Sequence, residues 1–316
     1  MYDKVTFYID ATTAPNYGAV ADTIVNHLDS PAIVENPANN ETTTFGRLGA
    51  LSVTRYPHNV LISGSLPKYL YGNNIARLDR RATAAAIEKL CDELGADITT
   101  AKVTGLEFGG VFTLAHPVKE YYARFGTPPG MLRYIEVPNE TIYYRTKGKE
   151  FAKQLAFYDK TKESAATGVD TPPRLTNLLR YELRLNRRLP QILQTNDITA
   201  RKLYGTNLYT TIMSKYKESY FAIPKQRTKL LAAPADIKTA KGALDVFIAG
   251  QIANKEKEFA QFVEALKEGK KLNNKVDYYR LRKMFESLQK LYTPALVDED
   301  IIQELDDEIT NLDNTL

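Results

Sequence analysis

Between residues 103 and 185 the chain carries three kinds of side chain that together could cut a phosphodiester. These are a tyrosine hydroxyl as nucleophile, carboxylates to hold a hard cation, and basic groups to take up phosphate charge. The tyrosine lies in Phe157-Tyr158-Asp159-Lys160, and a carboxylate between arginines lies in Leu179-Arg180-Tyr181-Glu182-Leu183-Arg184. Both stretches read as β-strands, along which side chains alternate faces. Over 178–185, Arg180, Glu182 and Arg184 share one face, and Leu179, Tyr181, Leu183 and Leu185 share the other. The charged face is either a site or an exposed ladder on an edge strand, and this strand alone favours the ladder. Over 151–160, Gln154, Ala156, Tyr158 and Lys160 share a face opposite Leu155 and Phe157. A phenol with a pKa of about 10 is a poor nucleophile until a cation favours its phenolate. Lys160 could supply that field or neutralise a phosphate. Over 103–112, Gly105, Glu107 and Gly109 lie opposite Leu106, Phe108 and Phe112. Glycine within a strand marks close approach by a ligand or another backbone, which makes Glu107 a candidate metal ligand. A bulge or bend explains the same glycines equally well.

The elements that must position these groups follow from periodicity. Val5, Phe7 and Ile9 alternate with Thr6, Tyr8 and Asp10, which predicts an opening strand. Residues 30–45, rich in Pro, Asn and Thr, read as a loop. Strands near 47–55 and 58–64 flank a turn at Tyr56-Pro57-His58-Asn59. After Asp79, the face formed by Ala84, Ile87, Leu90, Cys91 and Leu94 predicts an amphipathic helix. A short helix from His116-Pro117 to Phe125 is stopped by Gly126. Residues 131–137 and 140–146 predict a hairpin across Pro138-Asn139, and a loop with Pro172-Pro173 separates the last two strands. From about 197 the pattern turns helical, over Ile198–Tyr204, Leu208–Phe221, Ala240–Gly269 and Val276–Tyr292. The expected fold is α+β, a central and largely antiparallel sheet with flanking helices, followed by a helical C-terminal region. The boundary falls near 190–225, giving a body over 1–195, a helical part over 196–297 and an acidic end over 298–316.

Composition narrows the function. The 316 residues are 43% hydrophobic and 25% charged, ordinary for a globular chain. There is no apolar run of about 18 residues and no apolar core in the first residues, so neither a membrane span nor a signal peptide is expected. The single cysteine, Cys91, excludes an internal disulfide and a CxxC zinc pair and suits a reducing cytoplasm. No phosphate loop of the G-x-x-x-x-G-K-[ST] type is present, nor a G-x-G-x-x-G turn. The three histidines, His27, His58 and His116, stand singly, so no His-x-His pair can hold a metal. Net charge is +4; setting aside the eight acids of residues 298–316, which carry no Lys or Arg, raises it to +12. A basic body with an acidic end suits a nucleic-acid partner, and equally a solvated basic surface. Twenty tyrosines include candidates for stacking on unpaired bases, although most belong to strands and core.

The order of these signals resembles the rolling-circle replication initiators of filamentous phages, the gene II type. More distantly it resembles the Rep_trans plasmid initiators and relaxases. The segments that carry the resemblance span roughly residues 45–190. They are Ser65-x-x-Lys68-x-Leu70-x-Gly72-x-Asn74, Val103-Thr104-Gly105-Leu106-Glu107, Leu155 to Glu163 around Tyr158, and Leu179 to Arg184. Asn139-Glu140-Thr141-Ile142-Tyr143-Tyr144 also resembles the plasmid group's strand before the nucleophile. Where the family has Arg-hydrophobic-Asp, this chain has Gly105-Leu106-Glu107. Glutamate can serve as a hard-cation ligand, with one more methylene.

The resemblance implies a site-specific nickase-religase that starts rolling-circle replication. Tyr158 would attack the scissile phosphorus and keep a 5′-phosphotyrosine, so that no ATP is needed. Glu107 and Glu182 would ligate Mg²⁺ or Mn²⁺, and Lys160 would stabilise the phosphate or phenolate. Arg180, Arg184, Arg187, Arg188 and Lys68 would contact DNA, and Tyr143 and Tyr144 are alternative nucleophiles. Lys275, Arg280, Arg282 and Lys283 form a basic helix that contacts phosphates or is simply solvated. Implied partners are single-stranded or supercoiled origin DNA with a host polymerase and helicase, in a bacterial cytoplasm; a homodimer stays open. The acidic end is either a disordered solubilising tail or a competitor for the basic surface. The rival class is a non-catalytic nucleic-acid-binding protein of a phage or plasmid.

Overall fold

The computed structural model describes the chain except residues 13, 15, 137–139, 149–151, 167, 169–175, 227, 228, 231–238, 240, 243, 246, 247, 249–255, 270, 272, 273, 293–295, 298–300 and 313–316. The Pro138-Asn139 turn, the Pro172-Pro173 loop, stretches of the helix expected over 240–269, and Asp298, Glu299, Asp300 and Asp313 lie outside the described residues.

Two compact units divide the chain: Met1–Lys225 with Glu304–Leu316, and Gln226–Gln303. The first is built on ten strands: β1 (Tyr2–Asp10), β2 (Asp29–Asn36), β3 (Glu41–Leu48), β4 (Leu51–Arg55), β5 (Asn59–Ser65), β6 (Lys102–Thr113), β7 (Met131–Glu136), β8 (Thr141–Thr146), β9 (Lys153–Asp159) and β10 (Leu178–Leu185). They form one sheet in the order β2-β3-β4-β5-β1-β6-β10-β9-β8-β7, with every pair antiparallel. Two meanders therefore flank a central pair, β1 and β6. The helices of this unit are α1 (Tyr17–Asn26), α2 (Leu66–Tyr71), α3 (Arg80–Leu94), α4 (Val118–Tyr122), α5 (Lys160–Ala166), α6 (Leu189–Leu193), α7 (Ala200–Leu203) and α8 (Thr206–Phe221). The α+β class read from the sequence is the class observed.

Local chemistry sets the helix ends that matter to the site. Ser65 closes β5 and caps α2, its hydroxyl accepting from the Lys68 amide at 3.4 Å, with a proline in the first turn. Gly72 stops α2 at φ 79°, a left-handed conformation that glycine adopts at no steric cost. The Asp79 carboxylate caps α3 by accepting from the Ala82 amide at 2.7 Å.

One face of the sheet is an aromatic core. The Tyr181 ring stacks on Phe157 at 4.5 Å and on Tyr216 of α8 at 4.3 Å. The Tyr181 and Tyr216 hydroxyls each donate to the other residue's carbonyl, at 3.0 and 3.2 Å. Tyr2 meets Phe108 edge-on at 5.2 Å and donates its hydroxyl to the Leu203 carbonyl at 2.8 Å. Tyr2, Tyr181, Tyr216 and Tyr220 are thus interior residues whose hydroxyls find partners.

Three expectations differ from the structure. Residues 30–45 are not a loop, because β2 and β3 pair across them. Their polar composition reflects exposure: β2 is exposed along its whole length. The two compact units divide after Lys225, at the far end of the expected 190–225 range, and before Glu304, so that α7 and α8 fall in the first unit rather than beyond 195. The acidic end is not a disordered tail over its described part but a helix, Ile301–Thr310. Ile302, Leu305 and Ile309 are buried in it, and Leu312 just beyond it. Its acids are used: Glu304 accepts from the Ala115 amide at 2.9 Å and from the Tyr121 hydroxyl, and Asp306 from the Tyr220 hydroxyl at 2.7 Å.

In the second unit, Phe259 of helix Glu256–Glu268 stacks on Phe285 of helix Lys275–Tyr292 at 3.8 Å. No described helix is long and apolar enough to cross a membrane.

Candidate active site

The face of the sheet opposite the aromatic core gathers charge. Four adjacent strands contribute: Asp3 from β1, Glu107 from β6, Arg180, Glu182 and Arg184 from β10, and Tyr158 from β9. Register aligns them, with Glu107 opposite Arg184, Gly109 opposite Glu182, and Arg180 opposite Tyr158. Asp3, Glu107 and Glu182 each offer a carboxylate oxygen, all within 4.8 Å of one another.

Glu182 is the hub. The Tyr158 hydroxyl donates to its Oε1 at 2.9 Å, and Arg180 Nε donates to the same oxygen at 2.6 Å. Arg184 donates to Oε2 through Nε at 2.9 Å and Nη2 at 2.6 Å. Arg180 spends its other nitrogens on the Asn74 carbonyl, at 2.7 Å, and on Asp3. Asp3 also accepts from the Ser65 hydroxyl and, at 3.4 Å, from the Asn74 amide. Glu107 makes only a 3.8 Å ion pair with Arg184 among the described residues.

Burial sets the proton affinities. Glu182 is 1% exposed. Burial alone would raise its pKa, yet Arg180 and Arg184 outweigh it and hold the carboxyl below the usual range. Burial pushes Glu107 up to about 7, with Arg184 only partly opposing. The Tyr158 phenol is raised well above its ordinary value, first by burial and then by the Glu182 charge, against Arg180. In this arrangement Tyr158 is a protonated donor, held in place rather than activated.

Gly109 is explained by contact. A Cβ there would stand 2.6 Å from the Tyr181 carbonyl and 2.9 Å from Glu182 Cγ, so glycine lets Glu182 lie flat against β6. At Gly105 a Cβ would meet the Thr6 hydroxyl at 3.2 Å, beside a hollow of about 180 Å³ lined by Lys4, Thr6, Gly105 and Glu107.

Asp3, Ser65 and Asn74 were not singled out as site residues by their types. Strict alternation from Val5 and Phe7 would send Asp3 into the aromatic core. The register shift between Tyr2 and Val5 gives β1 an extra residue against β6. This bulge keeps Tyr2 opposite Phe108 and turns Asp3 to the charged face. A polar residue at an apolar parity position was the available signal.

The other expected residues are placed as follows. Lys160 does not continue the strand face; it opens α5, is buried, and donates to Asn74 Oδ1 at 2.9 Å and to Glu163 rather than meeting the Tyr158 hydroxyl. Tyr143 shares the charged face, with the Arg184 guanidinium 5.7 Å over its ring. Tyr144 points the other way, fully buried against Phe157. Arg187 and Arg188 are exposed just past β10, and Lys68 is exposed on α2. Arg280, Arg282 and Lys283 belong to the second unit and are each ion-paired, with Asp277, Glu264 and Glu286. The Lys275 side chain lies outside the described residues.

No protein-family model matches the sequence, and no curated protein matches it. Among solved structures the fold is similar to the "Structure of Rolling Circle Replication Initiator Protein from Geobacillus stearothermophilus". That likeness has a TM-score of 0.39 and 10% sequence identity, over 75% of this chain and 89% of that chain.

Proposed function

We propose that the chain is a replication initiator that nicks and rejoins one DNA strand through Tyr158. The reading rests on one observation: the Tyr158 hydroxyl donates at 2.9 Å to the carboxylate that joins Asp3 and Glu107 in a three-acid cluster. It does not rest on the distant likeness to a solved structure.

Three carboxylates are hard oxygen donors and fit Mg²⁺ or Mn²⁺ by type. Asp3, Glu107 and Glu182 would hold the ion, which when bound supplies Lewis-acid charge against a phosphate oxygen. The chain's own groups do the rest. Glu182 fixes the direction of the Tyr158 oxygen and takes its proton as that oxygen forms the new bond to phosphorus; the bond to the 3′-oxygen breaks, and the leaving oxygen takes up a proton from solvent. Arg180 is a positioning residue, since each of its three nitrogens is taken by Glu182, Asn74 or Asp3. Arg184, at the more open edge, is the guanidinium that can turn from Glu182 to a phosphate. Phosphoryl transfer needs such placement and charge more than elaborate covalent chemistry. Tyr143 remains the alternative nucleophile on this face, whereas the burial of Tyr144 removes it from contention.

A second reading has its own support. Both Glu182 oxygens already accept from arginines, which is how a structural ion network in a non-catalytic nucleic-acid-binding protein would look. Incubating the protein and Mn²⁺ with supercoiled DNA of the element that encodes it separates the two. Nicking is expected from the wild type and not from Tyr158→Phe, with Tyr158 in the DNA-linked peptide by mass mapping. Nicking that survives in Tyr158→Phe sinks the nucleophile, and binding without any nicking selects the non-catalytic reading.

A further inference from the structure

The charged face does not end at the carboxylates. Register places Glu182, Ala156, Tyr143 and Tyr134 in one row across β10, β9, β8 and β7. Arg184, Gln154, Arg145 and Leu132 form the row beside it. At about 4.8 Å between strands, the first row runs roughly 14 Å from the acid hub to the sheet edge. Along it, rings and guanidinium groups interleave. Arg145 sits 5.2 Å from the Tyr143 ring and 5.3 Å from the Tyr134 ring, and Arg184 covers Tyr143 from the inner side at 5.7 Å. Tyr134 is 42% exposed at the outer end, with Leu132 beside it. Glu136 is the acid at the outer end of the adjacent row on the other side, opposite Thr141 and facing Tyr143.

We infer that this strip holds unpaired nucleotides, with bases stacked on Tyr134 and Tyr143 and phosphates met by Arg145 and Arg184. The chemistry selects the occupant. Flat rings alternating with flat cations suit a polyanion that carries its own aromatic faces, which a single strand presents and a duplex conceals. An acidic peptide would use the arginines and leave the rings idle; an apolar partner would leave the guanidinium groups desolvated. A sheet face bearing aromatic side chains takes about two or three bases in other single-strand binders. The outer end of the strip lies on the edge strand and the inner end touches the Tyr158 site, so a bound strand is led to the scissile position. The inference rests on the nicking reading for what the strand is bound for, and not for its being bound.

The test is binding of a short fluorescein-labelled oligothymidylate in EDTA, where no nicking can occur, read by fluorescence anisotropy. Tyr134→Ala is expected to weaken binding about tenfold, the usual scale for one stacked base. Tyr134→Phe keeps the ring and should bind as the wild type does. Arg145→Ala should bind more weakly and show a shallower salt dependence. The same sequence as a blunt duplex should bind less well than the single strand. Unchanged affinity in Tyr134→Ala, loss in Tyr134→Phe equal to that in Tyr134→Ala, or equal affinity for duplex overturns the inference. Tyr134 is exposed on an edge strand, so its replacement spares the fold, which the thermal midpoint checks. Because the assay excludes nicking, loss of the nicking reading and loss of this one are told apart.

Discussion

On one face of β10, Tyr181 stacks between Phe157 and Tyr216; on the other, Arg180 and Arg184 grip Glu182. Both faces are buried at this point and both are satisfied, but by different means. The aromatic face gains from area removed from water and tolerates small changes of shape. The charged face is satisfied only as a set. Each ion lost its water on burial and depends on named partners at fixed distances. A sheet can therefore carry a desolvated charge cluster at its centre, provided the opposite face supplies the net stability.

That contrast predicts unequal sensitivity. The largest effect is expected from Arg180→Ala, which leaves Asp3 and Glu182 buried without their shared cation. A loss of about 3–5 kcal/mol is expected from denaturant unfolding; a loss within experimental error would show that water already screens the cluster. The neighbouring glycines give a finer comparison. Gly109→Ala pushes a methyl against backbone and Glu182 on the charged face, at an expected cost of about 1–3 kcal/mol. Gly110→Ala, on the aromatic face, meets the end of the Phe112 ring at 3.2 Å and should cost less. If the order is reversed, the charged face is the more pliant of the two.

The third comparison is in pH. Burial pushes Glu107 up to about 7, above the roughly 4.3 of an unfolded glutamate. The folded state then binds this proton more tightly than the unfolded state does. In metal-free protein this contribution is complete at low pH and is lost as pH rises from about 4.5 to 7. Glu107→Gln should remove that part of the slope, measured by unfolding at several pH values in EDTA. Parallel slopes for the two proteins would place Glu107 in contact with water.

Alternation alone made the strands around Tyr158, Glu182 and Glu107 legible, along with which side chains share a face. Spacing also revealed α3 and α8, because amphipathic helices announce themselves. Asp3 was hidden because one extra residue in β1 reverses parity, and its one mark in the sequence is a charged residue where alternation expects an apolar one. Lys160 was misplaced for a related reason: the strand ends at Asp159, and the next residue already belongs to a helix. The β2–β3 ribbon was hidden by its polar composition, because an exposed strand need not look apolar. The helix at Ile301–Thr310 was hidden by its acids, although Ile302, Leu305, Ile309 and Leu312 recur at helical intervals.

That last helix also bears on how the molecule is made. Residues from Glu304 belong to the first unit, yet residues 226–303 are synthesised before them. During translation the sheet emerges and can pair early, while Ala115, Tyr121 and Tyr220 wait for acids that are made only after the second unit. Domains ordinarily fold in order from the N-terminus as they emerge. Here the first unit begins before the second and closes after it, so a nascent chain carries an open seam on its ten-stranded unit until synthesis has passed the second unit.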